Sequence, residues 1–378
     1  MSTENGMLTL QEDGKIAGYP GWRFLSLIRD GEGPSQGVIA MNEDSLELRA
    51  IPALAILAPG SGLGVTLSLL YRQGAALVNP EFFQFHPAFV SGAETPFCLG
   101  DAVLEAGGRF WADRNGKPWY FLEEIYPGHG KTLPHLVINR TLDKISRDLG
   151  QVYLDLTGVS PTNGLQSLFS QVRRRFKIDP SKKSIPVEPG IIGSLGGLWS
   201  DSNGMTSIPG LYCHPERQAK DLPGMPGRSF ADAQDDSLRL WHSKLLQIFE
   251  SGGPENVFRL QLEMKQCVAE SMGVSRENRQ LKKASEKLEE LSRRCGQISL
   301  SDKARRSNRE LMLALTLPAL VDQARVSVAA ALLRNETRGE HYKPEFSKQD
   351  DAHFLKKTKA VWANGGPKIE YEDVQSLF

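Results

Sequence analysis

Cysteine is scarce in this sequence, and the few cysteines are scattered. The 378 residues contain Cys98, Cys213, Cys267 and Cys295, and none of them forms a Cys-x-x-Cys pair. Isolated thiols in a chain of this length are typical of a reduced, cytoplasmic protein. Cys213 is followed by a histidine, but no second pair stands at ligand spacing, so we predict no metal site.

Net charge and long apolar runs are also missing. Lys and Arg together number 45, as do Asp and Glu, so the formal net charge is zero. This balance argues against nucleic acid as a partner. No run of about 18 apolar residues is present, and the N-terminus has no basic segment followed by an apolar one. We therefore expect neither direct membrane insertion nor a signal peptide.

The pattern of apolar residues predicts an α/β part followed by an α-helical part. Residues 53–58 (ALAILA) are apolar throughout, as expected for a strand buried on both faces, and residues 137–150 have the period of an amphipathic helix. From residue 242 the period indicates a three-helix bundle, with Pro318 in the third helix predicted to kink it. Residues 213–241 show no apolar period and predict a loop or an insertion.

Two short motifs leave alternatives open. The glycines of GSGLG, Gly60, Gly62 and Gly64, could form a backbone nest for an anion or a simple turn between strand and helix. Their spacing falls short of the G-x-G-x-x-G dinucleotide fingerprint. His86 stands alone in an apolar and aromatic run, PEFFQFHPAFV (80–90). From its own surroundings it could be a buried structural histidine or a working residue.

Several longer motifs, in order along the chain, resemble one family. They are GWRFLSLIRDGEG, YRQGAALVNPEFFQFHP, GGRFWADRNGKPWYFLEEIYP, GGLWSDSNGMTSIPGLY and LLRNETRGEHYKPEF. The sequence is thereby identified as similar to the flavoprotein subunit of succinate dehydrogenase and fumarate reductase, the Bacillus-like variety in particular, with L-aspartate oxidase as a more distant relative.

The resemblance implies a chemistry and a set of partners. The family transfers a hydride between succinate or fumarate and FAD, which carries the hydride while the protein supplies orientation and charge. A dicarboxylate substrate, an FAD cofactor and an iron–sulfur subunit as partner are therefore expected. The location implied is cytoplasmic, with attachment to the inner face of the plasma membrane through partner subunits.

Residue by residue, the resemblance places a changed substrate site on this chain. His86 matches the family's substrate-contacting histidine, and Asp101 falls on the glutamate of the family's Ser/Thr-Glu pair, so both are predicted as substrate-binding and catalytic residues. His135 replaces the catalytic arginine, and Leu136 replaces the acid that orients this arginine. Ile192 stands at a second substrate histidine, and the 213–241 stretch takes the place of a further arginine segment.

The flavin site implied by the resemblance is reduced. The family's first strand and phosphate-binding loop would precede residue 1, so we expect a truncated and internally deleted FAD-binding part. The cofactor contacts expected to remain are weak ones, at Gly60, Gly62, Gly64, Gly196 and Gly197.

The predicted organisation follows from this match. It is an incomplete FAD-binding, Rossmann-like part (1–79, returning at 189–212), a capping-like α+β part (80–188), the 213–241 insertion, a helical bundle (242–335) and a tail (336–378). Two functions remain open. One is a flavoprotein-subunit homologue with impaired or no catalysis, and the other is a non-catalytic remnant whose helical part serves only as an interaction module.

Overall fold

The computed structural model describes residues 8–12, 15–53, 55–58, 64–128, 132–161, 163–213, 230–363 and 365–374. These residues form two compact units. Unit 1 comprises Met1–Phe82, Ser194–Glu336 and Gln349–Phe378, and unit 2 comprises Phe83–Gly193 and Thr337–Lys348. Residues 337–348, which the sequence analysis assigns to a tail, are thus part of unit 2.

The elements of the first part of unit 1 are β1 (Leu8–Glu12), β2 (Lys15–Tyr19), β3 (Trp22–Arg29), β4 (Ser35–Asn42), β5 (Leu48–Pro52), β6 (Ile56–Ala58), α1 (Val65–Arg72) and β7 (Leu77–Val78). Those of unit 2 are β8 (Phe83–Val90), α2 (Ala102–Glu105), β9 (Arg109–Arg114), β10 (Lys117–Trp119), α3 (Phe121–Ile125), α4 (His135–Leu149), β11 (Val152–Asp155), α5 (Asn163–Phe176) and β12 (Ile185–Ser194).

The chain then returns to unit 1 with β13 (Gly197–Leu198), β14 (Leu211–Cys213), α6 (Phe230–Glu250), α7 (Val257–Ser271), α8 (Asn278–Arg294), α9 (Arg309–Leu333), α10 (Asp351–Phe354), β15 (Lys356–Ala363) and β16 (Gly366–Asp373). Short 3₁₀ turns lie at Cys295–Gln297 and Pro344–Phe346. The mixed α/β class with a helical C-terminal region confirms the predicted fold class.

Unit 2 is built on a five-stranded sheet covered by amphipathic helices. The strand order is β10-β9-β11-β12-β8, in which β9 pairs antiparallel with β10 and with β11, and β11 pairs antiparallel with β12. Helix α4 buries Ile138, Leu142 and Ile145 against this sheet, as its period predicts. It ends at Gly150, whose φ of 89° favours glycine.

The described residues of unit 1 form three small sheets besides the β1–β2 hairpin: the meander β3-β4-β5, the four-stranded β13-β7-β15-β16, and the parallel pair β6–β14. The prediction that residues 53–58 form a strand buried on both faces is wrong, because β6 spans only Ile56–Ala58 and Leu57 is 52% exposed. Among the described residues β6 pairs with β14 alone, so its other edge has no strand to cover it.

Helices α7, α8 and α9 pack on one another as the predicted three-helix bundle. Helix α9 continues through Pro318. By length and composition α9 could cross a membrane, but 72% of its most apolar 18-residue stretch is buried within the protein. Buried core helices of soluble proteins share this composition, so the helix is weak evidence for a membrane span.

The stretch 213–241 is not a loop throughout, which corrects the sequence analysis. Residue 213 ends β14, residues 214–229 lie outside the described part, and residues 230–241 are the first half of α6. Trp241 and Leu245, four residues apart, are buried on one face of α6, and the Trp241 indole N–H donates to Ser26 Oγ at 2.7 Å. The polar run ADAQDDS (231–237) hides this period in the sequence.

A fully buried charge cluster joins distant segments of unit 1. The side chains of Arg334, Glu81 and Glu336 have no solvent exposure. All five guanidinium N–H groups of Arg334 find oxygen acceptors at 2.8–2.9 Å, in Glu81, Glu336, Thr358 and the carbonyls of Phe354 and Lys356. The cluster thus ties the segment before β8 to the segment around β15.

Candidate functional site

His86 lies in the middle of β8, a strand whose residues are buried apart from Gln84. Its side chain is only 4% exposed. The backbone N–H of Ala88 donates to His86 Nδ1 at 3.1 Å, so Nδ1 must keep its lone pair. In the neutral ring the proton therefore sits on Nε2, and this nitrogen is a hydrogen-bond donor.

Asp101 provides the acceptor for that donor. It directly precedes α2, and its carboxylate is 61% exposed. Asp101 Oδ1 lies 3.1 Å from His86 Nε2 and 3.0 Å from His135 Nε2. Two imidazoles thus converge on one carboxylate oxygen.

His135 reaches this point because it is the first residue of α4. Pro134 precedes it with φ −59° and ψ 143°, an extended conformation that directs the chain into the helix. The His135 side chain is one-third exposed, and its ring meets that of His86 edge-on, with centroids 4.9 Å apart. The pair thus has a buried member and a solvent-facing member.

Asn139 holds the two histidine-bearing elements together. It follows His135 by one helical turn, is fully buried, and its Nδ2 donates to the carbonyl of Phe85 at 3.0 Å. Phe85 directly precedes His86, so the bond fixes α4 to β8 beside the histidine pair. Asn139 was not predicted as a site residue, because its only signal in the sequence is that it is a polar residue on the apolar face of an amphipathic helix.

Burial favours the neutral form of His86. Desolvation lowers the pKa of His86, the hydrogen bond to Asp101 opposes this, and the neighbouring His135 adds to the lowering. Protonation of Nδ1 would also replace the hydrogen bond from the Ala88 N–H by a repulsive contact between two N–H donors, those of Nδ1 and Ala88. Neutral His86 is therefore suited to donate a hydrogen bond from Nε2–H, and its ring is a poor acceptor of a further proton.

The arrangement suits a carboxylate better than a metal ion. The side chains of His86, Asp101 and His135 bring ligand-type atoms within 4.8 Å of one another, which a divalent cation could in principle bridge. A metal on His86 Nε2, however, would need the ring proton on Nδ1, where the Ala88 N–H already points. Two donors that face a carboxylate oxygen are the complement of an anionic oxygen ligand.

The remaining predicted residues do not join this group. Ile192 is exposed in β12, and Leu136 beside His135 offers no acceptor. Gly60 and Gly62 lie outside the described residues, whereas Gly64 caps α1 in an extended conformation.

Gly196 has a structural explanation, and Gly197 borders a small cleft. A Cβ at Gly196 would lie 2.3 Å from the Asn79 carbonyl oxygen, so glycine is required for close backbone packing. Gly197 lies in β13 and lines a cleft of about 190 Å³. Ligand sites are typically ~300–1,000 Å³, so this cleft does not fit a flavin.

Comparison with known proteins assigns the fold. The structure matches E. coli quinol fumarate reductase FrdA with a TM-score of 0.82 at 21% identity, over 94% of this chain and 72% of that one. It matches a chain of the Sdh1 complex of Mycobacterium smegmatis with a TM-score of 0.74 at 20% identity, over 94% of this chain and 67% of that one. The fold is therefore that of FrdA and of the matched chain of the Sdh1 complex.

Comparison of sequences indicates the class of protein more closely than the fold does. Residues 261–377 match the family model described as fumarate reductase flavoprotein C-term. The succinate dehydrogenase flavoprotein subunit of Bacillus subtilis is 29% identical over 96% of this chain and 71% of its own length. The fumarate reductase flavoprotein subunit of Helicobacter pylori is 26% identical over 85% of this chain and 54% of its own length. The chain is a homologue of the succinate dehydrogenase and fumarate reductase flavoprotein subunits, which confirms the resemblance found in its sequence.

Proposed function

We propose that this chain binds a four-carbon dicarboxylate, succinate or fumarate, at the pair His86 and His135, and that the hydride transfer of its homologues is impaired or absent in it. The convergence of two imidazole Nε2 atoms on a single carboxylate oxygen supports the binding part. Charge-assisted hydrogen bonds of this kind are the usual means of holding a carboxylate.

The impaired turnover follows from what surrounds the pair. An imidazole at position 135 cannot offer the two-pronged guanidinium of the family's arginine, and Leu136 offers no acid to orient a cation. Ile192 cannot donate to a second carboxylate. Each lost transition-state contact costs about 2–4 kcal/mol, so several together would remove most of the rate.

FAD is the cofactor proposed from the homologues, and when bound it would supply the hydride acceptor. Among the described residues, the cleft at Gly197 is too small to hold it. Any FAD-dependent activity would reside in an assembly with an iron–sulfur partner. Attachment to the inner membrane face through that partner is proposed on the same basis.

A second function, an interaction module without ligand chemistry, is favoured by the outer face of α7. Phe258 and Leu262, four residues apart, are both about half exposed there. Apolar residues at this spacing form a stripe that a partner helix or surface can cover.

Experiments on the whole 378-residue chain can distinguish the two functions. Calorimetric titration with succinate and fumarate should show binding that is lost in His86→Ala and in His135→Ala. It should persist in the control His353→Ala, whose side chain is exposed. Flavin absorbance and dye reduction measure cofactor and turnover. Binding with little or no dye reduction supports the proposal, rapid succinate-dependent reduction contradicts the impaired turnover, and absence of carboxylate binding favours the interaction module.

A further inference from the structure

Asp101 occupies the donors of the histidine pair. Its Oδ1 takes the single Nε2 proton of His86 and lies at hydrogen-bond distance from His135 Nε2. Because His86 Nδ1 is committed to the Ala88 N–H, His86 has no other donor to offer. A second carboxylate oxygen cannot bind to the same two atoms while Asp101 stays in place.

We infer that Asp101 is an internal competitor: its carboxylate holds the histidine pair in the free protein, and the carboxylate of a ligand binds by displacing it. This inference rests on the proposed function, because it assumes that a ligand carboxylate uses the same two imidazoles. It reverses the role expected from the sequence, in which Asp101 would help to bind the substrate.

Burial and charge support displacement rather than sharing. The Asp101 carboxylate is mostly exposed, so rotation of its side chain into water costs little, whereas His86 is buried and fixed in its tautomer. If Asp101 stayed, its charge would lie beside that of the ligand, and like charges at this distance repel. In either case Asp101 opposes binding of an anion.

The test compares Asp101→Ala and Asp101→Asn with the unchanged protein. The matched control is Asp148→Ala, which removes an exposed carboxylate from the other end of α4, roughly 20 Å from His135 along the helix. Acetate and succinate are titrated calorimetrically at low and at high salt, and thermal unfolding shows that each variant is folded.

The Asp101→Ala variant should bind acetate about fivefold more tightly than the unchanged protein, the factor for removing one unit charge about 4 Å away in a water-like dielectric. The gain should shrink at high salt. The Asp101→Asn variant should gain less, because its amide oxygen still accepts from the histidines. Asp148→Ala should bind as the unchanged protein does.

Two results would overturn the inference while leaving the proposed function intact. One is weaker acetate binding in both Asp101 variants, which would make the carboxylate a helper. The other is a Zn²⁺ titration in which the unchanged protein binds the ion tightly and Asp101→Ala does not, which would make the three residues a metal site. If no variant binds either anion and the histidine substitutions change nothing, the proposed function itself fails.

Discussion

Replacement of Arg334 by methionine should destabilise unit 1 severely. The substitution keeps much of the apolar stem but removes a cation whose five N–H groups all donate hydrogen bonds. It removes the guanidinium that pairs with the buried carboxylates of Glu81 and Glu336. Removal of one partner from a buried pair costs about 3–5 kcal/mol. With two carboxylates left behind, we expect the upper end of that range.

Urea unfolding followed by circular dichroism measures this loss through the shift in midpoint. Adding Glu81→Gln and Glu336→Gln to Arg334→Met should recover a large part of it, because neutral amides are cheaper to bury than unpaired carboxylates. A matched control is Arg239→Met, an exposed arginine on α6. A loss under about 1 kcal/mol for Arg334→Met would refute the reasoning, since it would mean that the cluster is solvated or repacks freely.

Three further predictions concern the histidine site and the helical bundle. Asn139→Leu should lower the free energy of unfolding by about 1–2 kcal/mol and weaken succinate binding, because the clamp beside His86 is lost; urea unfolding and calorimetry measure these effects. Ion pairs with α8 hold the pKa of Glu263 at about 2, below its ordinary 4.5. Glu263→Gln should therefore cost about 1 kcal/mol at neutral pH, and the cost should fade in unfolding curves as the pH drops from about 4.5 towards 2. His135→Arg alone should not restore succinate-dependent dye reduction, because Leu136 offers no carboxylate to orient the new guanidinium.

Each of these three predictions has a control variant or a result that would contradict it. Lys144→Leu, on the exposed face of α4, should change stability by less than about 0.5 kcal/mol. An Asn139→Leu effect no larger than this would contradict the clamp. Glu289→Gln, exposed on α8, should show no such pH dependence. Dye reduction by His135→Arg at a rate typical of the homologues would show that the other lost contacts are dispensable.

Periodicity predicted the regular parts of this protein well. Helix α4 and the bundle α7–α9 bury the apolar faces that their sequences present, so local pattern and tertiary packing agree. The first half of α6 was missed because its polar residues carry no period, and its helical state is supported by burial further along, at Trp241 and Leu245. The three-residue β6 was predicted as longer and buried because an apolar run does not reveal which neighbours will cover it.

The candidate site was accessible to sequence reasoning only through resemblance. His86, Asp101 and His135 are 15 and 34 residues apart in sequence and show no spacing that would bring them together. Their convergence depends on how α4 packs against β8. Asn139 and Arg334 were missed for a common reason: a polar residue buried by tertiary contacts looks like a solvent-facing residue until its partners are known.

The division of the chain into two units has a practical consequence for dissecting this protein. The backbone passes between the units four times, after Phe82, Gly193, Glu336 and Lys348. One proteolytic cut therefore cannot release unit 2 as a single piece. The fragment 83–193 made alone would lack the segment whose Gly339 carbonyl accepts from Arg140 at 2.6 Å. The smallest fragment able to rebuild the histidine pair in its native setting is discontinuous, and would have to be assembled from two co-expressed peptides.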